Sequence, residues 1–218
     1  VGKGMTKRTL LEVKGLVAQG MSQMVHLSVF SGQAWMVVGS SGTGKSQFLK
    51  SLADLIEHDG EVRLNGVSQQ AIAPEQWRRQ VMYFSAETAW WCDSVVAHFD
   101  VPPSKAMLQR IGLPVDILQK NPDECSSGEK QRLALLRGLA YQPTILLLDE
   151  MTANLDTDAS IKVEQLLKDY LNPPVLETQE NLSPPQKAII WVSHDVAQRQ
   201  RMAPAEQHLT FNSEVLPL

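Results

Sequence analysis

Eight consecutive residues, Gly39-Ser40-Ser41-Gly42-Thr43-Gly44-Lys45-Ser46, match the pattern G-x-x-x-x-G-K-[ST] at every fixed position. The chemistry explains each residue type. Glycines let a loop turn with positive φ and aim successive backbone N–H groups inward, which suits a polyphosphate. Lys45 is placed to reach the β- and γ-phosphates, and the Ser46 hydroxyl to bind Mg²⁺. Glycine is about 7% of residues in average proteins, so a chance match in a chain this size is on the order of 1%. About a hundred residues on, Ile145-Leu146-Leu147-Leu148 ends in two carboxylates, Asp149 and Glu150. In an open α/β sheet, ligands sit beyond the carboxyl ends of the strands. Asp149 can there hold Mg²⁺, usually through its water, and Glu150 can polarise a water that attacks the terminal phosphate.

These residues need strands and helices to hold them. Residues 10–17 and 25–29 are short, β-branched-rich runs that read as strands. Residues 34–38 read as a buried strand running into the glycine-rich loop, and a helix follows from Lys45 with Phe48, Leu49, Leu52 and Leu55 on its inner face. Residues 61–64, ending in Asn65-Gly66, predict a strand and turn, and 81–84 another strand. From 94 to 120, Pro102, Pro103, Gly112 and Pro114 punctuate short helices, so that 88–140 forms an approximate helical subdomain. Residues 127–140 read as a longer helix, 144–148 as an apolar central strand, and 188–192 as another buried strand. Residues 159–171 read as a helix with Ile161, Leu166 and Leu167 inward, and the proline-rich 172–186 as an exposed loop.

The bulk properties agree with one α/β domain over residues 5–218, with Val1–Gly4 ahead of Met5 set aside as a foreign remnant. At 218 residues the chain buries a full core without metals or disulfides, and Cys92 and Cys125 read as reduced thiols. A net charge of −4 argues against a dedicated nucleic-acid surface. No apolar run reaches the ~18–20 residues of a membrane-spanning helix, so any membrane role needs a partner.

The residues between the two phosphate motifs narrow the family. Cys125-Ser126-Ser127-Gly128-Glu129-Lys130-Gln131-Arg132 resembles the ABC signature, LSGGQ-x-QR. Thr152-Ala153-Asn154-Leu155-Asp156 looks like the D-loop of that family, and Val192-Ser193-His194-Asp195 looks like its H-switch. With the cradle and the carboxylate pair, these five motifs cover roughly residues 10–212 and resemble the ABC ATPase family. The resemblance implies a P-loop NTPase fold: a mostly parallel central sheet with helices, a small antiparallel part and an inserted helical subdomain. It also implies an ATPase that powers a separate membrane permease from the inner face of the cell membrane, as a head-to-tail dimer with two sandwiched ATPs. Lys45, Ser46, Asp149, Glu150 and His194 would serve each nucleotide from one subunit, and Ser126, Ser127, Gly128 and Glu129 from the other. A single cassette without a coiled-coil insertion sets it apart from ABC proteins of repair or translation, and P-loop kinases and GTPases lack counterparts of Ser126–Arg132 and His194. The nearest likeness is to small ABC subunits paired with metal-export permeases.

The chain departs from the family at four places. Cys125, Ser127 and Glu129 replace Leu, Gly and Gln of the signature. The Q-loop glutamine position holds Ala86, and the neighbouring Glu87 is either a substitute Mg²⁺ ligand or a solvent-facing acid. No aromatic lies in residues 16–29 to stack on adenine, and His26 there reads as a packed or solvated ring. Adenine is then expected to rest on aliphatic residues such as Val17, with weak base selectivity. Trp90 and Trp91 follow, where family members meet the permease, and their alternative is packing within the helical subdomain.

Overall fold

The computed structural model describes residues 9–173 and 186–212. The expected remnant at 1–4 and most of the expected loop at 172–186 lie outside them. Two sheets organise the chain. The first is antiparallel, in the order β2-β1-β4-β5, with β1 at Thr9–Val17, β2 at Val25–Phe30, β4 at Asp59–Leu64 and β5 at Val67–Ser68. The second is wholly parallel, in the order β6-β7-β8-β3-β9. Its strands are β3 at Ala34–Gly39, β6 at Val81–Phe84, β7 at Ile145–Asp149, β8 at Ala188–Val192 and β9 at His208–Phe211.

β7 and β8 are buried at every position, as apolar runs covered on both faces require. Their alternation divides the core in two. Ile145, Leu147 and Ile190 face a cluster shared with the antiparallel sheet and with Phe48, Leu49 and Leu52. Those three sit on α1, Lys45–Leu52. Leu146, Leu148, Ile189 and Trp191 face the opposite cluster, made with α4 at Ser127–Leu139 and α5 at Thr157–Leu171. Such sandwiching fixes the register, because a slip by one residue would exchange the two faces.

That register sets the functional edge. Asp149 pairs with Val192, and Val192 with Val37. Glu150, Ser193 and the last residues of β3 therefore follow in adjacent rows where the strands end.

The helices depart from the sequence reading in places. α1 stops at Leu52, the chain turns left-handed at Asp54 (φ 57°), and Leu55 is 47% exposed instead of inward. On α5 the buried stripe runs through Ala159, Val163, Leu166 and Leu167 while Ile161 is exposed. Two residues separate Ile161 from both Ala159 and Val163, a rotation of about 200°, so it cannot share their face. The 94–124 region has a single α-helix, α3 at Lys105–Arg110, among three-ten turns. Two α-helices and two strands carried no sequence expectation: α2 at Pro74–Gln80, α6 at Val196–Met202, and the strands β5 and β9. α2 buries only Trp77, which leaves no periodic stripe to read. No helix among the described residues is long and apolar enough to cross a membrane.

Candidate functional site

The glycine-rich loop leaves β3 and enters α1 through Gly44, whose φ is 90° and whose absent side chain would strike Gly20 O at 2.5 Å. Only glycine meets both demands. Within the loop, Lys45 Nζ donates to Gly39 O at 2.9 Å and Ser40 O at 2.6 Å, and Thr43 Oγ1 donates to Ser40 O at 2.9 Å. Ser40, Ser41 and Gly42 are exposed at the mouth, and Ser46 is half-buried. Burial pulls the Lys45 ammonium below its usual value, while the nearby carboxylates of Glu150 and Asp149 pull the other way. The first N–H groups of α1 have no intrahelical acceptor and carry the positive end of the helix dipole. Together these groups form an anion site.

Asp149 is 8% exposed, and its Oδ2 accepts a 2.7 Å hydrogen bond from the Tyr83 hydroxyl. Burial, then that bond, pushes the Tyr83 phenol up, so it stays a donor. Asp149 Oδ1 is buried and has no hydrogen-bond partner among the described residues. A buried carboxylate oxygen of this kind costs free energy unless something pairs with it. It fits a cation, with Ser46 the hydroxyl ligand that the sequence suggests. No group of three or more His, Cys, Asp and Glu residues among those described could hold a metal alone. The donor set of one buried carboxylate and one hydroxyl suits Mg²⁺, which binds through one or two carboxylates with water and phosphate completing its shell.

Glu150 adopts φ 53°, a left-handed conformation uncommon for a non-glycine residue, and its N–H donates to Val192 O at 3.1 Å. Strain of this kind, of order 1–3 kcal/mol, persists where surrounding structure dictates it and clusters at functional sites. His194 Nε2 lies 3.1 Å from Glu150 Oε1, although 44 residues separate them. β7 and β8 bring the two loops together.

Ser126 and Glu129 open α4 as a capping box. The Ser126 hydroxyl accepts from Glu129 N at 3.2 Å, and Glu129 Oε2 accepts from Ser126 N at 2.8 Å. The Glu129 carboxylate is thus engaged with the helix N-terminus, where negative charge is favourable. Ser127 is exposed. Gly128 packs on the segment after Glu150: a Cβ there would lie 2.9 Å from Leu155 Cδ2 and 3.1 Å from Asn154 O.

Glu87 is exposed and lines a cavity of about 580 Å³ with Trp91, His98 and Arg137, while Tyr83 supplies the hydroxyl that reaches Asp149. Ala86 is held by its carbonyl, which accepts from Gln131 Nε2 at 3.0 Å. Trp91 is 69% exposed and Trp90 half-buried. His98 stands edge-on to both rings at 4.8 Å, and the Arg137 guanidinium covers them at 4.7 and 5.0 Å. His98 Nε2 accepts from Trp91 N and Cys92 N at 2.8 and 3.0 Å, which leaves Nδ1 to donate to Ser94 O. No sequence signal pointed to Arg137 or Tyr83, because their partners lie distant in the chain. None pointed to His98, whose partners lie four to eight residues before it in an irregular loop without periodicity.

Toward the base end, a cavity of about 820 Å³ is lined by Val17, Gly20, Met21, Gly42, Ile56 and His58. His26 instead accepts from Gly15 N at 3.2 Å, beside an irregularity of β1. His58 is a ring the sequence reading missed, and both its nitrogens are engaged, by Gln69 Oε1 at 2.7 Å and Asp59 O at 3.0 Å.

The family model described as ABC transporter matches residues 22–153. The chain is 33% identical over 183 residues to the probable iron export ATP-binding protein FetA of Escherichia coli (strain K12), covering 78% of this chain and 76% of FetA. It is 34% identical over 171 residues to the phosphonates import ATP-binding protein PhnC 1 of Rhodopseudomonas palustris (strain BisB18), covering 66% of this chain and 62% of that relative. It is 28% identical over 211 residues to the lipoprotein-releasing system ATP-binding protein LolD of Colwellia psychrerythraea (strain 34H / ATCC BAA-681), covering 87% and 76%.

Proposed function

Since the chain belongs to the ABC transporter family as an ATP-binding, ATP-hydrolysing subunit, we propose that it works as a head-to-tail dimer that closes on two ATPs and drives a separate integral membrane permease. The observation that carries this reading is the row of Asp149, Glu150 and His194 at the strand ends beside the cradle, with the 3.1 Å contact between His194 and Glu150. Lys45 exchanges two backbone carbonyls for phosphate oxygens when ATP enters. Glu150 orients and deprotonates the attacking water, and His194 holds Glu150 and contacts the γ-phosphate. Ser46 and Asp149 would hold Mg²⁺, which when bound neutralises phosphate charge; Glu87 is a further candidate ligand from the loop after β6.

Ser126, Ser127, Gly128 and Glu129 present the start of α4 to the ATP of the opposite subunit. The capping box supports this role by fixing that helix end. Trp90 and Trp91 receive the permease, and the exposure of Trp91 beside a cavity supports them. The subunit then sits on the inner face of the membrane through that partner, without nucleic acid. Relatives named for export, import and release share the likeness, in keeping with cargo choice residing in the permease.

Glu150→Gln tests the core of the reading. ATP binding should survive while hydrolysis slows by roughly 10²–10⁴-fold, the usual worth of a general base. An ATP-dependent dimer should then elute early in size-exclusion chromatography. Near-normal turnover would remove Glu150 from the mechanism, and a monomer throughout would remove the sandwich.

A further inference from the structure

Behind Glu150 and His194 lies a buried polar network that the motifs do not include. Gln198, on α6, is 1% exposed. Its Oε1 accepts two hydroxyl hydrogen bonds, from Ser193 Oγ at 2.7 Å and from Thr152 Oγ1 at 3.1 Å. Its Nε2 donates to Glu164 Oε1 at 3.1 Å. The amide orientation follows from the partners: a carboxylate accepts only, so the nitrogen must face Glu164 and the oxygen the hydroxyls. Glu164, on α5, has a side chain only 2% exposed, and Arg201 grips it with two bonds of 2.7 Å. At the start of α6, Asp195 Oδ1 accepts from Gln198 N at 3.0 Å, and Ser193 Oγ accepts from Asp195 N at 3.2 Å.

The placement gives this network a consequence for chemistry. Thr152 lies two residues after Glu150, and Ser193 lies one residue before His194. One amide oxygen therefore holds both loops that carry the Glu150–His194 pair, and an ion pair between two helices holds that amide. We propose that Gln198, locked by Glu164 and Arg201, is a positioning residue for hydrolysis that sets the spacing of Glu150 and His194 without touching nucleotide. The physical warrant is that a misplacement of about 1 Å in a catalytic group can cost on the order of 10²-fold in rate. Left-handed Glu150 adds to this, since a strained residue keeps its conformation only while its surroundings enforce it. The cost of burying the Glu164 charge is offset by the bidentate Arg201 grip and the amide, so every partner matters.

This proposal rests on the hydrolytic roles given above to Glu150 and His194. It is tested in the full chain by ATPase turnover counted per ATP-binding site, with KM measured alongside. Gln198→Leu keeps the bulk and removes both polar ends. It should lower kcat by about 10–100-fold while KM and ATP affinity stay within about threefold, because the cradle is untouched. Gln198→Glu alone should also be slow, because it sets a second carboxylate against Glu164. The swap of Glu164→Gln with Gln198→Glu restores a donor opposite an acceptor between the two residues and removes the carboxylate clash. Its new amide nitrogen faces Arg201 Nη2, however, so turnover should recover only in part, above that of Gln198→Glu alone. Wild-type kcat in Gln198→Leu, a parallel loss of ATP affinity, or a swap no better than Gln198→Glu would overturn the proposal. If Glu150→Gln also turned over normally, the underlying assignment would have failed; if Glu150→Gln is slow and Gln198→Leu is not, only the positioning role falls.

Discussion

Eight consecutive residues, Gly39 to Ser46, make the phosphate cradle, whereas the face around Trp90 and Trp91 is assembled from residues as far apart as Ala89 and Arg137, which are 48 positions from each other. The cradle binds with backbone N–H groups and one lysine, so its recognition elements travel with a short stretch of chain. The proposed tryptophan face would bind with side chains, and its shape depends on His98 wedged against two rings and on Arg137 laid over both. The difference teaches that a backbone cradle is complete within one short stretch, whereas a side-chain face needs a residue such as Arg137 brought in from α4.

The sharpest way to break that comparison is the double change Trp90→Ala with Trp91→Ala. An interface tryptophan hot spot is typically worth about 2 kcal/mol or more, so affinity for the permease should fall by about 30-fold or worse. ATP affinity should survive, as the cradle shares no residue with the tryptophan cavity. Co-purification of the double variant with its native permease would end the interface reading, and loss of ATP binding would show that the two regions are not separable.

A smaller effect is expected at the base end, where the cradle's local logic gives out. Stacking on an aromatic ring is worth about 1–3 kcal/mol per base in nucleic-acid sites. With aliphatic Val17 and Ile56 on that side and His58 tied at both nitrogens, dissociation constants for ATP and GTP should differ by less than about 30-fold, or ~2 kcal/mol. A wider gap measured by titration would mean a ring stacks on the base, and His58→Ala would then be expected to close it.

The smallest effect concerns Glu87, an exposed carboxylate in the loop after β6 that lines the tryptophan cavity. Serving the phosphate end, it would make Glu87→Ala raise the Mg²⁺ concentration for half-maximal ATPase a few-fold, roughly one lost carboxylate contact, with Glu87→Gln milder. Identical Mg²⁺ curves for all three proteins would assign it to the tryptophan cavity that it lines.

Sequence legibility follows the same division. The strand before the cradle, the helix after it, the carboxylate pair and His194 all lie where motif and apolar pattern put them, at the ends of β3, β7 and β8. Runs such as Ile145–Leu148 read easily because burial on both faces demands apolar residues at every position. Helix faces were harder. Leu55 and Ile161 are apolar yet exposed, and composition alone cannot say where a helix stops or which apolar residue turns outward. Glu129, which the resemblance sets among the nucleotide-facing residues, turns its carboxylate back to cap the start of α4.

By itself the sequence determined the family, the glycine-rich motif and the apolar runs of the central strands, because these depend on residues adjacent in the chain, while the order of the strands came from the fold. Only the tertiary structure decided that Tyr83 meets Asp149, that His194 meets Glu150, and that Gln198 holds both loops from behind. The reason is physical: a hydrogen bond requires heavy atoms within about 3 Å, and residues 44 to 66 positions apart reach that distance only once sheet register has placed their strands side by side.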